Sequence, residues 1–173
     1  MPHSGDSVPP PARVGSGDRG HTARVVTSSR QEDLRLGAVT AERRLFLALP
    51  AALTAAAEVR ALLDAWLTTH GWPTEAQEDL VLAVNEAVSN SVEHGYGMRP
   101  GVAGRPGLVE VAAERLADRC VEITVRDHGG WRPTPLLRAH RRHGIPIMKA
   151  CSAECVIDGT PSGTTVVLRS HPA

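Results

Sequence analysis

The sequence predicts an α+β fold, a two-layer sandwich in which a mixed, mostly antiparallel sheet is covered by helices on one face. Short segments with the two-residue period of strands occur near residues 45–49, 109–113 and 121–125. Between the first of these strands and the other two, two longer segments carry apolar residues at helical spacing. The predicted element order is β-α-α-β-β-α-β-β, which places helices and strands in two layers around one core.

Size, charge and composition limit the classes of function. The 173 residues suit one domain, and Lys+Arg and Asp+Glu are balanced at 19 each, so no net charge attracts nucleic acid or an anionic membrane. Only 3% of the residues are aromatic, which leaves few side chains to stack on bases. No apolar run approaches the roughly 20 residues of a membrane span, and the N-terminus lacks a secretory signal. We therefore expect a cytoplasmic protein that binds neither nucleic acid directly nor a membrane.

Residues 1–40 combine Pro, Gly, Ser and Arg without a sustained apolar period. Such a segment cannot bury enough apolar surface to offset the entropy lost on ordering. We expect residues 1–40 to form a disordered tail and residues 41–173 to form the folded domain. The cysteines are odd in number and lack the spacing of a zinc site, so we expect reduced packing residues at Cys120, Cys151 and Cys155.

The domain begins with a predicted strand and a predicted helix. A short apolar run with leucine at every second position, residues 45–49, ends at Pro50 and predicts the strand. Residues 52–69 carry apolar side chains at roughly helical spacing and predict the helix. Gly71 supplies the C-terminal stop of this helix.

The second predicted helix has marked ends. Thr74 followed by Gln77 forms the pattern of a capping box after Pro73, and Gly95 lies where a C-terminal cap belongs. We expect one small, apolar face to pack while the opposite face stays polar. That face consists of Leu80, Val84, Ala87, Val88 and Ser91.

The remaining elements are mostly strands. Residues 109–113 and 121–125 alternate between apolar and polar side chains and predict a hairpin. A basic loop follows, and a short helix begins at Gly144. Strands near residues 154–158 and 164–169 complete the predicted domain.

The polar side of the second helix carries the first candidate site. Glu86 and Asn90 lie four residues apart, with His94 one turn further along, so their side chains share one face. A carboxylate can accept a proton from a hydroxyl nucleophile, and an amide oxygen can ligate a hard cation such as Mg²⁺. The alternative is a solvated helix face, for which this spacing is ordinary.

Asp127 is the second candidate. It continues the alternation of residues 121–125, which points its carboxyl group toward the buried face at the end of the strand. A buried carboxylate needs partners, and the amino group of an adenine is a suitable donor. Gly129 and Gly130 allow a ligand to approach the backbone closely. The alternative is that Asp127 caps its own turn, which Asp-x-Gly sequences often do.

The third candidate is the stretch from His128 to His143, which has several arginines and no acidic residue. It leads into a helix start at Gly144, where Pro146 suits the first turn. Backbone amides there can bind phosphate with help from the helix dipole and the arginines. The alternative is a solvated surface loop. The arginines are Arg132, Arg138, Arg141 and Arg142.

The order of the motifs resembles a known family. Neither the P-loop nor the G-x-G-x-x-G dinucleotide pattern occurs. The motifs that do occur are Asn85-Glu86-Ala87-Val88-Ser89-Asn90 ending in His94-Gly95-Tyr96, then Asp127-His128-Gly129, then Gly144-Ile145-Pro146-Ile147-Met148, then Gly163-Thr164-Thr165. They resemble those of the anti-sigma-factor serine-protein kinases, a bacterial branch of the ATPases that include gyrase and histidine-kinase catalytic domains. The resemblance covers about residues 42–170.

The resemblance implies a histidine-kinase-like ATPase fold and a Mg-ATP site under a short lid. By matching position, it implies that Glu86 is the general base and that Asn90 is the magnesium ligand. It also implies that Asp127 accepts a hydrogen bond from the adenine amino group and that Gly129 permits close approach of the nucleotide. The other ATP-binding positions that it implies are His94, Gly144, Ile145 and Thr164.

The resemblance implies protein partners as well. Proteins of this family hold a sigma factor inactive and phosphorylate a serine or threonine on an anti-anti-sigma partner, and a homodimer is compatible with it. Two positions depart from the family pattern: Trp131 replaces the second glycine of D-x-G-x-G, and Arg142 replaces the first glycine of the G-x-G before the short helix. These departures leave open a non-catalytic sigma-binding module with a degenerate or purely structural ATP site.

Overall fold

A computed structural model describes residues 24–25, 39–41, 43–130 and 144–173. The strands are β1 Arg24–Val25, β2 Val39–Ala41, β3 Arg44–Pro50, β4 Leu108–Arg115, β5 Val121–Asp127, β6 Glu154–Thr160 and β7 Gly163–Arg169. The helices are α1 Ala55–Thr69, α2 Thr74–Asn90 and α3 Gly144–Ala150. A π-helical turn, Ser91–Gly95, continues α2 directly.

The described strands form one sheet in the order β1-β2-β3-β4-β5-β7-β6. The α+β class is confirmed, and so is the predicted hairpin, in which Val111 of β4 pairs with Val125 of β5. Every pairing between described strands is antiparallel, so the parallel pair that a mixed sheet would contain does not occur among them. Two consecutive helices between β3 and β4 bring that pair back antiparallel, and β7 lies between β5 and β6, which run in the same direction.

One face of the sheet is buried beneath the helices. In β5 the side chains of Val121, Ile123 and Val125 are buried, whereas the residues between them are more exposed. The same alternation in β4 gives a continuous apolar face. Helix side chains from α1 and α2 share this core, but Leu53 and Leu62, which the helical spacing predicts for the apolar face of the first helix, are exposed. The buried helix side chains include Val59, Leu63, Leu67, Leu80, Val84, Ala87 and Val88.

Helix α1 ends in a turn that depends on glycine. Gly71 has a φ of +66°, and its N–H donates to the carbonyl oxygen of Thr68 at 3.0 Å. The N–H of Trp72 donates to the carbonyl oxygen of Leu67 at 3.1 Å. These are the two hydrogen bonds of a Schellman motif, so the stop predicted at Gly71 is confirmed. The helix itself begins at Ala55, later than the predicted start at residue 52.

The capping box predicted at the start of α2 is wrong. Thr74 is already helical, and Pro73 occupies the N-cap position without a side-chain cap bond. The side-chain amide nitrogen of Gln77 instead lies 2.7 Å from Asp64 Oδ1 and 2.9 Å from Thr68 Oγ1, both in α1. A tertiary contact between the two helices therefore replaces the local cap.

Two short strands lie within the segment that the sequence predicts to be a tail. β1 pairs with β2, and β2 extends the sheet beside β3, where Val39 pairs with Phe46. These residues belong to the sheet. The rest of residues 1–40 lies outside the described residues, so the tail and the domain boundary near residue 41 stay predictions.

Two further observations concern the state of the cysteines and the question of membrane-spanning helices. The cysteines are free, with Cys120 buried and Cys151 and Cys155 partly buried, in keeping with the packing role predicted for them. Among the helices that the structure describes, none combines the length and apolar character that crossing a bilayer requires.

Candidate functional site

The carboxyl group of Asp127 is buried at the end of β5, and only one of its oxygens is bonded. The residue is 2% exposed. Its Oδ1 accepts hydrogen bonds from the backbone N–H groups of Gly129 at 2.9 Å and Thr164 at 3.3 Å. Its Oδ2 is buried and has no hydrogen-bond partner among the described residues. Because a buried acceptor without a donor is costly, Oδ2 is available to a donor from a ligand.

The turn interpretation of Asp127 is confirmed for one carboxyl oxygen, and the ligand interpretation stays a prediction for the other. The bond from the Gly129 N–H to Oδ1 is the local turn expected of an Asp-x-Gly sequence. The free Oδ2 is the buried acceptor expected from the strand alternation. The turn therefore orients the carboxyl group without using its second oxygen.

Glycine backbones approach this carboxyl group too closely to allow side chains. A Cβ atom on Gly95 would lie 2.9 Å from Asp127 Oδ1, and a Cβ atom on Gly129 would lie 2.3 Å from the carbonyl oxygen of Gly95. Gly163 has a φ of +147°, and a Cβ atom there would lie 2.1 Å from the backbone oxygen of Asp127. The end of the π-helical turn, the end of β5 and the start of β7 therefore meet around one side chain.

The role predicted for Gly95 as a C-terminal cap is wrong. The left-handed conformation of a glycine cap occurs at Gly97, with a φ of +75°, and not at Gly95. Gly95 is needed because any side chain there would collide with the carboxyl group of Asp127. Its function is close approach rather than helix termination.

Tyr96 links the segments around the Asp127 carboxyl group. Its hydroxyl group donates to the backbone oxygen of Leu108 at 2.6 Å and accepts from the backbone N–H of His128 at 2.9 Å. Burial raises the pKa of the Tyr96 hydroxyl group, and the nearby charge of Asp127 acts in the same direction. The hydroxyl group therefore stays protonated and keeps its donor bond at neutral pH.

A second cluster forms where α2 meets the start of α3. A Cβ atom on Gly144 would lie 3.0 Å from Glu86 Oε2 and 3.1 Å from the amide nitrogen of Asn90. Glu86 and Asn90 are both partly buried. The helix face predicted from their spacing is therefore not merely solvated, because the start of another helix lies against it.

The two clusters lie at the same end of one continuous helix. Asn90 is the last residue of α2, and Gly95, which touches Asp127, ends the π-helical turn. Five helical residues advance the backbone by only about 7 Å along the axis. Single π-helical turns within helices frequently occur at functional sites. The two clusters therefore lie towards the same end of the helix formed by α2 and the π-helical turn.

The other predicted site residues differ in how closely they join these clusters. Thr164 is buried and donates its backbone N–H to Asp127 Oδ1. Ile145 follows Gly144 in α3 and is 41% exposed. His94 is exposed, and its side chain has no hydrogen bond or ion pair with a described residue. The structure therefore brings Thr164 into the site and gives His94 no contact there.

Residues 131–143 lie outside the described residues, and several predictions fall on them. These concern the basic stretch as a phosphate-binding segment, the short lid, and the two departures from the family pattern. The residues concerned are Trp131, Arg132, Arg138, Arg141 and Arg142. Their roles stay predictions.

The chain matches the family model described as histidine kinase-like ATPase domain over residues 49–170. It belongs to the histidine kinase-like ATPase family. The match spans both clusters described above and every element from the end of β3 to the end of β7. It confirms the histidine-kinase-like ATPase fold and the wider ATPase family that the four sequence motifs imply.

Two solved structures are similar to this histidine kinase-like ATPase domain. The crystal structure of the RsbU and RsbW domains of Rv1364c from Mycobacterium tuberculosis matches with 30% sequence identity and a TM-score of 0.58. The match covers 76% of this chain and 32% of that one, so this chain spans about a third of the length of its relative. The histidine kinase domain from the EL346 blue-light activated histidine kinase of Erythrobacter litoralis matches with 20% identity and a TM-score of 0.46, over 58% of this chain and 46% of that one.

An ATPase domain implies an ATP site, and the described residues fit one. The free Oδ2 of Asp127 suits the amino group of adenine, and the glycine backbones packed around the carboxyl group hold it in place. No group of three or more His, Cys, Asp or Glu side chains among the described residues is arranged to hold a metal, so Mg²⁺ would need phosphate oxygens beside Asn90. We call Asp127, Gly95, Gly129 and Thr164 the purine end, and Glu86, Asn90 and Gly144 the phosphate end, after the parts of ATP that we propose for them below.

Tyr96 and Arg105 take part in the site without a clear signal in the sequence. Nη2 of Arg105 donates to the backbone oxygen of Gly95 at 2.9 Å and also contacts the backbone oxygen of Gly129. Arg105 lies in a Gly- and Pro-rich loop with no periodicity, so nothing local marks it. The only signal for Tyr96 is its place next to Gly95 in a recognised motif.

Proposed function

We propose that this protein is an ATP-dependent anti-sigma regulator with protein serine/threonine kinase activity. It holds a sigma factor inactive and phosphorylates a serine or threonine on an anti-anti-sigma partner. The observation that carries the proposal is the buried Asp127 carboxyl group with a free acceptor oxygen, at the same helix end as Glu86 and Asn90. A base-recognition group beside a polar cluster is the arrangement that positions a nucleoside triphosphate for phosphoryl transfer.

Asp127 is the proposed adenine-recognition residue. Its free Oδ2 accepts a hydrogen bond from the 6-amino group of adenine, and Gly129 lets the base approach the backbone. Thr164 supports this end by holding the other carboxyl oxygen through its backbone N–H. Guanine has a carbonyl oxygen at the corresponding position, so two acceptors would face each other, and ATP is the expected ligand.

Glu86 is the proposed general base, and Asn90 is the proposed magnesium ligand. The carboxylate of Glu86 takes the proton from the hydroxyl group of the partner as the hydroxyl oxygen attacks the γ-phosphorus of ATP. The bond from that phosphorus to the β,γ-bridging oxygen breaks, and ADP leaves. The amide oxygen of Asn90 helps to hold Mg²⁺ against the phosphate groups. The absence of a side chain at Gly144 lets the start of α3 lie close to these two side chains, and backbone amides there are the proposed phosphate contacts.

The partner assignment is supported by the four motifs that resemble those of anti-sigma-factor kinases. The 30% identity to a chain that contains an RsbW domain supports the same assignment. Such a protein acts in the cytoplasm, where sigma factors meet RNA polymerase. A homodimer is compatible with this function.

The experiment that tests the kinase proposal compares Glu86→Ala with a matched control, Glu78→Ala, on an exposed position of the same helix. A general base contributes about 10²–10⁴-fold to the rate, so Glu86→Ala should lose that much phosphoryl transfer from labelled ATP to an anti-anti-sigma protein of the same genome. ATP affinity, measured by calorimetry, should be preserved in both variants. Transfer by Glu86→Ala at the rate of the control would show that Glu86 is not the base.

A second candidate function is a sigma-binding module without catalysis. It is favoured by Trp131 and Arg142, which stand where the family pattern has glycine. The same labelling experiment separates the two candidates, because this module would bind sigma factor and leave every partner unlabelled. The kinase proposal is contradicted if saturating ATP and partner give no label with the parent protein.

A further inference from the structure

Arg105 joins the two backbone segments that frame the Asp127 carboxyl group. A single nitrogen of its side chain, Nη2, contacts the backbone oxygens of both Gly95 and Gly129. The backbone N–H of Arg105 donates to the carbonyl oxygen of Tyr96 at 2.8 Å, which fixes the loop itself. One cation therefore ties together the π-helical turn, the segment after β5 and the loop between α2 and β4.

The Arg105 contacts influence the direction in which the free acceptor oxygen, Asp127 Oδ2, points. Gly95 packs directly on the Asp127 carboxyl group, and the N–H of Gly129 donates to Oδ1 of the same group. The direction of Oδ2 therefore depends on the separation between Gly95 and Gly129. Two carbonyl oxygens that lie close together repel each other unless a donor lies between them, and hydrogen bonds from a guanidinium group are charge-assisted. Arg105 is the described donor that both oxygens share.

We propose that Arg105 is a positioning residue that sets the purine preference of the site. It holds Gly95 and Gly129 at the separation that directs Asp127 Oδ2 toward a 6-amino group and away from a 6-oxo group. The proposal rests on the proposed ATP site and adds a specificity determinant to it. Arg105 acts through Asp127, so its removal should weaken recognition of the base and leave the phosphate contacts intact.

The test compares Arg105→Gln with Arg99→Gln, whose arginine is exposed in the same loop and has no side-chain bond to a described residue. Affinities for ATP, GTP and inorganic tripolyphosphate are measured by calorimetry with Mg²⁺. Arg105→Gln should lower ATP affinity by about tenfold, the size expected for losing one hydrogen bond to a charged group. GTP and tripolyphosphate affinities should change little, so the preference for ATP over GTP falls. Arg99→Gln should match the parent protein in all three.

A conservative variant separates positioning from general destabilisation. Because one nitrogen contacts both oxygens, the ammonium group of Arg105→Lys can replace it, and this variant should recover the preference for ATP. The ratio of ATP to GTP affinity does not depend on the folded fraction, so it remains informative if Arg105→Gln lowers stability. An unchanged ratio in Arg105→Gln, or an equal loss of tripolyphosphate binding, overturns the proposal.

Failure of this inference is distinct from failure of the proposed function. If the parent protein binds ATP no better than tripolyphosphate, the adenine site itself is refuted and the inference falls with it. If the parent prefers ATP and Arg105→Gln keeps that preference, the ATP site stands and only the role of Arg105 is overturned.

Discussion

At the purine end the backbone of Gly129 lies against the backbone of Gly95, whereas at the phosphate end Gly144 lies against the tips of two side chains. A Cβ atom on Gly129 would collide with the backbone of Gly95, but a Cβ atom on Gly144 would meet only Glu86 Oε2 and the Asn90 amide. Backbone in a strand or helix cannot move without moving its element, while side-chain tips rotate about several bonds. Side-chain contacts at the phosphate end can therefore adjust more readily than the backbone contact at the purine end, a difference that the proposed ATP site requires between its base and phosphate groups.

The largest expected loss of stability and ATP affinity comes from a substitution that disrupts the backbone contact at the purine end. Gly129→Ala places a methyl group about 2.3 Å from Gly95, so the backbone must shift. We expect the free energy of unfolding, measured by urea denaturation, to fall by about 1–3 kcal/mol, the usual cost of overpacking. ATP affinity should fall more than in any other variant, because Asp127 moves with the shifted backbone. A variant with the stability and ATP affinity of the parent would contradict the rigid contact.

The next substitution should change recognition of the adenine base while leaving the stability of the fold nearly unchanged. In Asp127→Asn the side-chain oxygen can still accept from the N–H groups of Gly129 and Thr164, while an NH₂ donor replaces the free acceptor. We expect ATP affinity to fall by about tenfold or more and the free energy of unfolding to change by less than about 1 kcal/mol. Calorimetry and urea denaturation measure the two quantities. Unchanged ATP affinity would refute the adenine assignment.

A smaller effect is expected at Tyr96. Tyr96→Phe removes the bonds to Leu108 and His128 and should lower the free energy of unfolding by about 1 kcal/mol. Burial raises the pKa of the hydroxyl group in the folded state above its unfolded value. The hydroxyl therefore contributes stability below the unfolded pKa, and this contribution is lost as the pH rises through the folded pKa. The difference in stability between the parent and Tyr96→Phe should shrink at alkaline pH, and a difference that stays constant or grows would contradict this role.

The smallest expected effect is at the phosphate end. In Gly144→Ala the new methyl group displaces only the tips of Glu86 and Asn90, so the free energy of unfolding should change by less than about 0.5 kcal/mol. The gain in ATP affinity on adding Mg²⁺ should decrease, because Asn90 is displaced, and ATP affinity without Mg²⁺ should stay constant. A loss of stability as large as that of Gly129→Ala would remove the contrast between the two ends.

Most of the fold and the central site residues follow from local patterns in the sequence. The alternation of residues 121–125 places Asp127 on the buried face, and the turn after it follows from Gly129. The four-residue spacing of Glu86 and Asn90 places them on one helix face, which is correct because α2 is regular up to Asn90. Such features depend only on residues close together in the chain.

The remaining features depend on contacts between distant segments. The sequence alone predicts that Gly95 caps a helix, whereas in the structure Gly95 packs against Asp127. The sequence alone predicts that the Gln77 side chain belongs to a capping box, whereas in the structure its amide nitrogen binds Asp64 of α1. No sequence pattern around Arg105 predicts a role for it. Its position depends on the hydrogen bond from its backbone N–H to the carbonyl oxygen of Tyr96. No periodicity or capping rule contains this information.

The turn formed by the Gly129 N–H and Asp127 Oδ1 has a thermodynamic consequence for ligand association. A freely rotating carboxylate loses torsional entropy when it accepts a bond from an incoming molecule. In Asp127 that loss has already occurred during folding, since two backbone donors fix the group. A ligand that donated a hydrogen bond to Oδ2 would therefore meet a preorganised acceptor, and more of the hydrogen-bond energy would appear as affinity.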